Sequence, residues 1–412
     1  MLADIEELRL SMTREVPPDR IVALPESRDG DSISLLFGHA ASLSMQHVLD
    51  QYLPDRREAD RLIAAYFRSG SMVAPFMHAP HFQRQYQNFW INPQAFAPLW
   101  VSLMFSVLHI ASSVVSPSQP FEGSQRIYSV AAAQSLAVGK YYRPQPYAVE
   151  ALLLFTQSQC FGSFDVTPDF GILMGNVVRL AVSSGYHRDP ETADISAFEK
   201  EMRRRGWSLV VQLDLLLSFA LGLPANLPFA NHDTKIPRNL QDSDFDEHTS
   251  ELPPGRSEAE ATGIQFYIAK HKLMAVFEKV LWHALRPFTG SDEHLDKLEA
   301  ELTTTYFDLP DTLRPRPIAN SIVDAPQLVI TRLCTSFLYQ KSRCVLHRKH
   351  AAGGRDPSSA ICYEASRAIV EPFIDIFADL QPGGQFEKEQ WFNSSLTWSV
   401  STCPLFSGIA FR

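Results

Sequence analysis

The sequence predicts an all-α fold, and two observations carry that expectation. Apolar residues recur at the 3.6-residue helical period in one stretch after another between Arg57 and Leu380, while the strict alternation of a half-buried strand is nearly absent. The stretches are also punctuated as helices are, with prolines or capping side chains at their starts and glycines at their stops. At 412 residues, 45% hydrophobic and 20% charged, the chain can close a large core and is expected to be a folded, soluble protein.

Taken in order, residues 1–12 are expected to form a short helix with Leu2, Ile5, Leu8 and Met12 on one side. Residues 13–33 concentrate Pro, Gly and charge without a period and read as a flexible linker. The folded body is expected to begin between Leu53 and Arg61, with a first helix from Arg57 to Ser69. The next, Gln94 to Val115, contains a run from Phe96 without formal charge that is long enough to cross a bilayer. However, Ser102, Ser106, His109 and Ser113 draw one polar stripe along it and Pro98 stands at its start, so a nearly buried core helix is expected and no membrane span. Helices Glu122 to Tyr142 and Tyr147 to Phe161 follow. Thr167 to Ser184 opens on Thr167-Pro168-Asp169 and stops at Gly185, and Ile195 to Gly222 stops at Leu221-Gly222.

Residues 223–260 break the pattern with Pro224, Pro228, Pro237, Pro253, Pro254 and a cluster of acids, and form a long irregular loop. Helical texture returns at Ala261 to Leu285, Glu293 to Phe307, Pro326 to His350 and Ser358 to Leu380. The resulting division is 1–33 as helix and linker, 50–380 as one helical body, and 381–412 as an atypical end.

Composition narrows the function. With 37 Lys plus Arg against 46 Asp plus Glu, the net charge of −9 lacks the basic footprint of a chain that grips nucleic acid by itself. Cys160, Cys334, Cys344, Cys362 and Cys403 fit neither a disulfide framework nor a paired zinc knuckle, so a reducing, intracellular compartment is expected. The acidic start, with Asp4, Glu6 and Glu7, does not suit a secretory signal.

Catalytic motifs are missing. There is no glycine-rich dinucleotide loop, phosphate-binding loop, HExxH or GxSxG element. His78 and His81 lack a third ligand at zinc spacing and are expected to be structural or surface residues. Asp242, Asp244 and Asp246 alternate as in a calcium loop, but Glu247 and Pro253 occupy the positions that need Gly and Glu, which excludes calcium. His187, Arg188 and Asp189, with Cys160 as a conceivable nucleophile, read as structural for want of any sign of convergence. No catalytic, cofactor-binding, metal-binding or DNA-binding residue is assigned.

The charges read as fold-holding instead. Glu199 precedes Arg203 and Glu201 precedes Arg205 by four residues, the favourable orientation for helix ion pairs worth about 0.3–0.5 kcal/mol when exposed. Arg203 also lies four before Trp207 and is placed to stack on its indole. Asp214, between Leu209-Val210-Val211 and Leu215-Leu216-Leu217, must be largely buried. It is expected to pair with Arg204 or Arg188, so that Asp214→Ala would cost several kcal/mol. The basic run Lys341 to His350 is expected to be a solvated helix terminus. The aromatic-rich stretch Phe76 to Trp100 is expected to be core.

These residues together resemble a known family. His187-Arg188-Asp189, then Arg203-Arg204-Arg205-Gly206-Trp207 with Asp214, then Gly222 and Pro224, then Asp233 and Pro237 through Asp242 and Asp244, resemble in order the fungal-specific transcription factor domain. That domain is the middle homology region of fungal six-cysteine zinc-cluster regulators. Glu58 to Phe67 followed by Met77 to Phe82 is similar to its opening, and the resemblance runs over about residues 50 to 375.

The resemblance implies a large all-helical regulatory domain of a nuclear transcription regulator. Its implied partners are transcription machinery or regulatory proteins, a small-molecule effector and a second copy, with no membrane. DNA would be reached only through a separate N-terminal zinc cluster. No cysteine precedes Cys160, so zinc and DNA binding carry over to no residue present, and the gene model is expected either to start late or to lack the reader. Trp391 to Thr397 looks family-like but Trp398 to Arg412 does not, as in a truncated end. The alternative reading is a biosynthetic-cluster enzyme or small-molecule-binding protein on the same scaffold.

Overall fold

The computed structural model describes residues 44–389 apart from 71–72, 116–121, 161–166, 229–230, 287–291 and 354–355. The expected helix at residues 1–12, the linker at 13–33 and the end from Trp391 to Arg412 lie outside the described residues. Within them the chain is all-α: α1 (Met45–Tyr52), α2 (Arg56–Arg68), α3 (Ala79–Phe89), α4 (Pro98–Val115), α5 (Glu122–Val138), α6 (Ala148–Cys160), α7 (Pro168–Ser183), α8 (Ala197–Ala220), α9 (Gly263–Leu285), α10 (Asp292–Phe307), α11 (Pro326–Ala352) and α12 (Asp356–Asp379).

Two of these helices depart from the sequence expectation. The folded body starts at α1, before Leu53, because Ser44 caps it by accepting from His47 N and its Val48 and Leu49 are buried. Eight residues with two buried side chains are too short to show a period. The other, α3, starts from an unusual cap, the His78 imidazole accepting from His81 N, and buries Phe82, Tyr86 and Phe89. Phe82 and Phe89 pack on Trp100 at 5.8 and 5.4 Å, so the aromatic-rich stretch is core.

The glycine stops form where expected. Gly222 has φ +70° and Gly185 φ +79°. In each case the glycine N–H and the next N–H close back onto the last turn, Gly222 to Phe219 and Leu223 to Ser218, and Gly185 to Val182 and Tyr186 to Ala181. Pro224 then stands exposed just past the end of α8. The end of α5 departs from this. It stops at Val138 rather than near Tyr142, and Lys140, not glycine, takes the left-handed position at φ +53°. Gly139 is needed one residue earlier, where a Cβ would come within 2.6 Å of Leu99.

The helices pack largely in chain order. Centrally placed α4 touches α2, α5 and α6, while α8 packs on α7 and α9, and α11 on α9, α10 and α12. The polar stripe of α4 is buried at these junctions: Ser102 donates to the Ala132 carbonyl at 2.9 Å and His109 Nδ1 meets Ser158 Oγ at 3.2 Å. Burial lowers the His109 pKa to about 4. No helix among the described residues is long and apolar enough to cross a membrane.

Candidate functional site

The irregular segment between α8 and α9 is held on the N-terminal half of α8 by a continuous set of ion pairs. A reciprocal capping box starts α8, with Ser196 accepting from Glu199 N and the Glu199 carboxylate accepting from Ser196 N. That use of Glu199 corrects the expected Glu199–Arg203 pair. Arg203 lies over the Tyr186 ring at 5.4 Å rather than on Trp207, because Tyr186 comes up from the α7 stop beside it. Tyr186 in turn donates its hydroxyl to Glu150 of α6.

The next two arginines are buried and point in different directions. Arg204 grips Asp189 through Nε at 3.0 Å and Nη2 at 2.8 Å, and reaches Glu191 at 2.7 Å. Asp189 also accepts from Lys235 N at 2.8 Å, and its own N–H donates to Asp233 at 2.9 Å. The Arg204 guanidinium and these donors hold the Asp189 carboxyl at about 2, against the pull of burial. Exposed Arg188 faces Asp233 at 3.4 Å.

Arg205, 3% exposed at its side chain, makes the expected pair with fully buried Glu201 at 3.3 Å. It also binds Asp242 at 2.8 Å and the Leu240 carbonyl at 2.9 Å, and lies 4.9 Å over the Phe245 ring. Burial raises the Glu201 pKa while Arg205 pulls it down. Asp242 accepts from Ala79 N at the start of α3, and His78 meets the Phe245 carbonyl at 3.0 Å. Asp244 takes both ends of the Arg256 guanidinium at 2.7 Å, and Arg84 pairs with Glu247. Beneath these polar contacts Phe198, Leu240 and Phe245 form a small apolar cluster, and Pro237 is buried beside it in sequence.

One expectation is overturned at the centre of α8. Asp214 is fully buried but pairs with neither Arg204 nor Arg188, since those arginines face Asp189 and Asp233. Its oxygens accept from Asn226 Nδ2 at 2.6 Å and Leu227 N at 3.1 Å. The carboxylate thus pins the chain just past the α8 stop, using neutral donors that no charge pattern could flag. The basic run at the end of α11 also differs from expectation. Lys341 and His347 are buried, and Arg343 pairs with Glu299 at 2.8 Å, because α10 and α12 cover two sides of that turn.

Trp207 is buried between His187 at 6.4 Å and His232 at 5.3 Å, which brings the α7 stop and the irregular segment together on one side chain. Cys160 is not drawn into a constellation with His187 and Asp189. Its thiol turns back to the Thr156 carbonyl at 3.4 Å, and burial pushes its pKa up. No group of three or more metal-ligating side chains converges among the described residues. Asp242, Asp244 and Asp246 are each engaged by protein donors. The arrangement is a clasp: it ties α3, the α7 stop, α8 and residues 233–256 into one unit. The sequence reading missed Glu150, Glu191, Asn226, Lys235 and Arg256 as members.

Comparison with known proteins identifies the family. The family model described as "Fungal specific transcription factor domain" matches residues 63–309, from α2 past α10, with the whole clasp inside. Zn(2)-C6 fungal-type transcription factor mpsB of Macrophomina phaseolina is 34% identical over 87% of this chain and 50% of its own length. Zn(2)-C6 fungal-type transcription factor pigI of Monascus ruber is 33% identical over 92% of this chain and 48% of its own. The equisetin cluster transcription factor eqxF of Fusarium heterosporum is 30% identical over 88% of this chain and 54% of its own. The chain thus spans about half the length of the curated relatives it matches. No solved structure matches it significantly. With more than half of its residues under that model, the chain belongs to the fungal specific transcription factor domain family.

Proposed function

We propose that this chain is the regulatory body of a fungal Zn(2)-C6-type transcription factor. In this reading it works in the nucleus, answers to regulatory proteins and a small-molecule effector, and reaches DNA only through a separate zinc-bearing module. It is not an enzyme, and zinc belongs to that module rather than to any residue of this chain. The supporting observation is the match over residues 63–309, with relatives named as transcription factors along nearly all of this chain. The relative named for the equisetin cluster supports a place in secondary metabolism.

The clasp suits a regulatory rather than a catalytic part. Its arginines and carboxylates are spent on one another. The test is to fuse the full chain behind a heterologous DNA-reading module and measure a reporter bearing that module's site. A reporter level several-fold above or below that of the module alone is expected. A folded, nuclear fusion that leaves the reporter at the level of the module alone overturns the reading.

A further inference from the structure

Beyond the clasp in sequence, the C-termini of α9 and α11 meet the first turn of α10, and cations collect there. His283 of α9 is 4% exposed, and its Nδ1 is buried without a hydrogen-bond partner. Its ring lies 5.3 Å from that of His294 in α10 and 6.1 Å from that of His350 in α11, nearly parallel to the latter. The charges acting on His283 come from His294, His350, Lys349 and Arg286, all of one sign when protonated.

Ordinary structural roles account for only part of this cluster. Lys349 Nζ donates to the Arg286 carbonyl at 2.6 Å, as a cation at a helix C-terminus should. That contact does nothing for the buried Nδ1 of His283. Two carboxylates on α10 are turned to other partners, Glu293 to Lys297 at 2.7 Å, and Glu299 to Arg343 at 2.8 Å and His347 at 3.5 Å. Burial and like charge accordingly push His283 and Lys349 below their usual values, and burial lowers Arg348. The Nδ1 of His283 is thus buried and unmet beside several cationic groups.

We infer that this cluster binds a small oxyanion of the phosphate class, held by Arg286, His283, His294, Lys349 and His350. Inorganic phosphate and the phosphoryl group of a phosphorylated metabolite share the chemistry. Both offer several acceptor oxygens and a double negative charge to guanidinium, ammonium and imidazolium donors. Arg286 and His294 are exposed while His283 is 4% exposed, so a ligand meets the cluster from the Arg286 and His294 side, and a polymer backbone is excluded from its centre. A metal ion is disfavoured because an ammonium and a guanidinium share the shell, and the three imidazoles do not form a group that could hold one. His294, in the first turn of α10, adds the positive end of that helix. The inference gives the proposed effector a chemistry, and an assay of binding rather than transcription separates its fate from that of the proposed function.

The test is a calorimetric titration of the full chain with inorganic phosphate and with glucose 6-phosphate, against chloride at matched ionic strength. Histidine ring resonances are followed by NMR in parallel. Saturable binding is expected that perturbs three histidines and weakens at least about 3-fold as the ionic strength is raised from about 0.05 to about 0.5 M with chloride. Arg286→Gln and Lys349→Gln are each expected to weaken it about 5-fold or more, while Lys297→Gln leaves it unchanged. Arg286 is exposed, so its variant keeps the test open if the Lys349 variant loses its helix cap. Tighter binding of the sugar phosphate assigns the site to a metabolite, and equal or weaker binding assigns it to free phosphate. Heat equal to that of chloride, indifference to both substitutions, or saturable zinc binding by the same histidines overturns the inference.

Discussion

Two buried charged residues of α8 look alike in sequence and differ in energetic consequence. Asp214 is held by the neutral donors Asn226 and Leu227 N, so Asp214→Ala strands an amide and an N–H beside the α8 stop. The expected cost is about 1–3 kcal/mol, the range for a buried hydrogen-bonded group whose partners lose their acceptor. Arg205→Ala instead leaves Glu201, fully buried, without its cation, and removes the bond to Asp242. Breaking a buried pair by removing one member costs about 3–5 kcal/mol. Urea unfolding of the two variants is therefore expected to rank Arg205→Ala well below Asp214→Ala. Equal midpoints, or Asp214→Ala as the weaker protein, contradict the assignment of partners. The buried position of Asp214 was legible from the leucines around it. Its partners were not, because Asn226 and Leu227 follow the helix stop and carry no charge to match.

At the scale of elements, the clasp has a definite pH signature. Asp189, Asp244 and Glu247 each sit near about 2, chiefly through Arg204, Arg256 and Arg84, against the opposing pull of burial. Their folded values lie below the usual carboxylate values of about 3.9–4.3, so the stabilisation they give is complete above that range and is lost as pH falls through about 2. Glu201, Glu150 and Asp214, raised by burial, work in the opposite sense, while Glu191, Asp233 and Asp246 are lowered and add to the three. Peptide-level hydrogen exchange is expected to show residues 231–256 losing protection between about pH 4 and pH 2 ahead of α4 and α11. Asp189→Asn is expected to loosen the same peptides already at neutral pH. Simultaneous loss across all helices, or full protection in Asp189→Asn, counts against the clasp. The helices that flank it were readable from period, caps and the glycines at Gly185 and Gly222. The clasp itself was readable only as an irregular, acidic stretch. Its pairs span 15 residues for Arg204–Asp189 and 37 for Arg205–Asp242, and local charge spacing cannot reach that far.

The whole molecule has two large apolar clusters, and the helices that thread them decide whether they act as one. The first runs from Val48 in α1 to Phe386 beyond α12, and the second gathers the later parts of α8, α9 and α11 with α10. In α9 the division falls between Tyr267 and Ala269 and in α11 between Phe337 and Leu338, while in α8 the two interleave, with Leu213 and Leu217 in the first cluster and Leu215, Leu216 and Phe219 in the second. Three continuous helices therefore carry side chains into both clusters, and melting one would expose helix ends in the other. Phe277, fully buried in the second cluster, packs on Phe219 at 5.2 Å. Phe277→Ala is expected to cost about 3–5 kcal/mol through lost transfer energy and a residual cavity. Because of the shared helices, that cost should lower the unfolding midpoint for the first cluster as much as for the second. With Trp282, Trp391 and Trp398 replaced by Phe, fluorescence of Trp90, Trp100 and Trp207, all in or against the first cluster, should shift together with far-ultraviolet circular dichroism in one transition. A variant whose tryptophan signal keeps the parent midpoint while helicity falls earlier would show the clusters to be separate cooperative units.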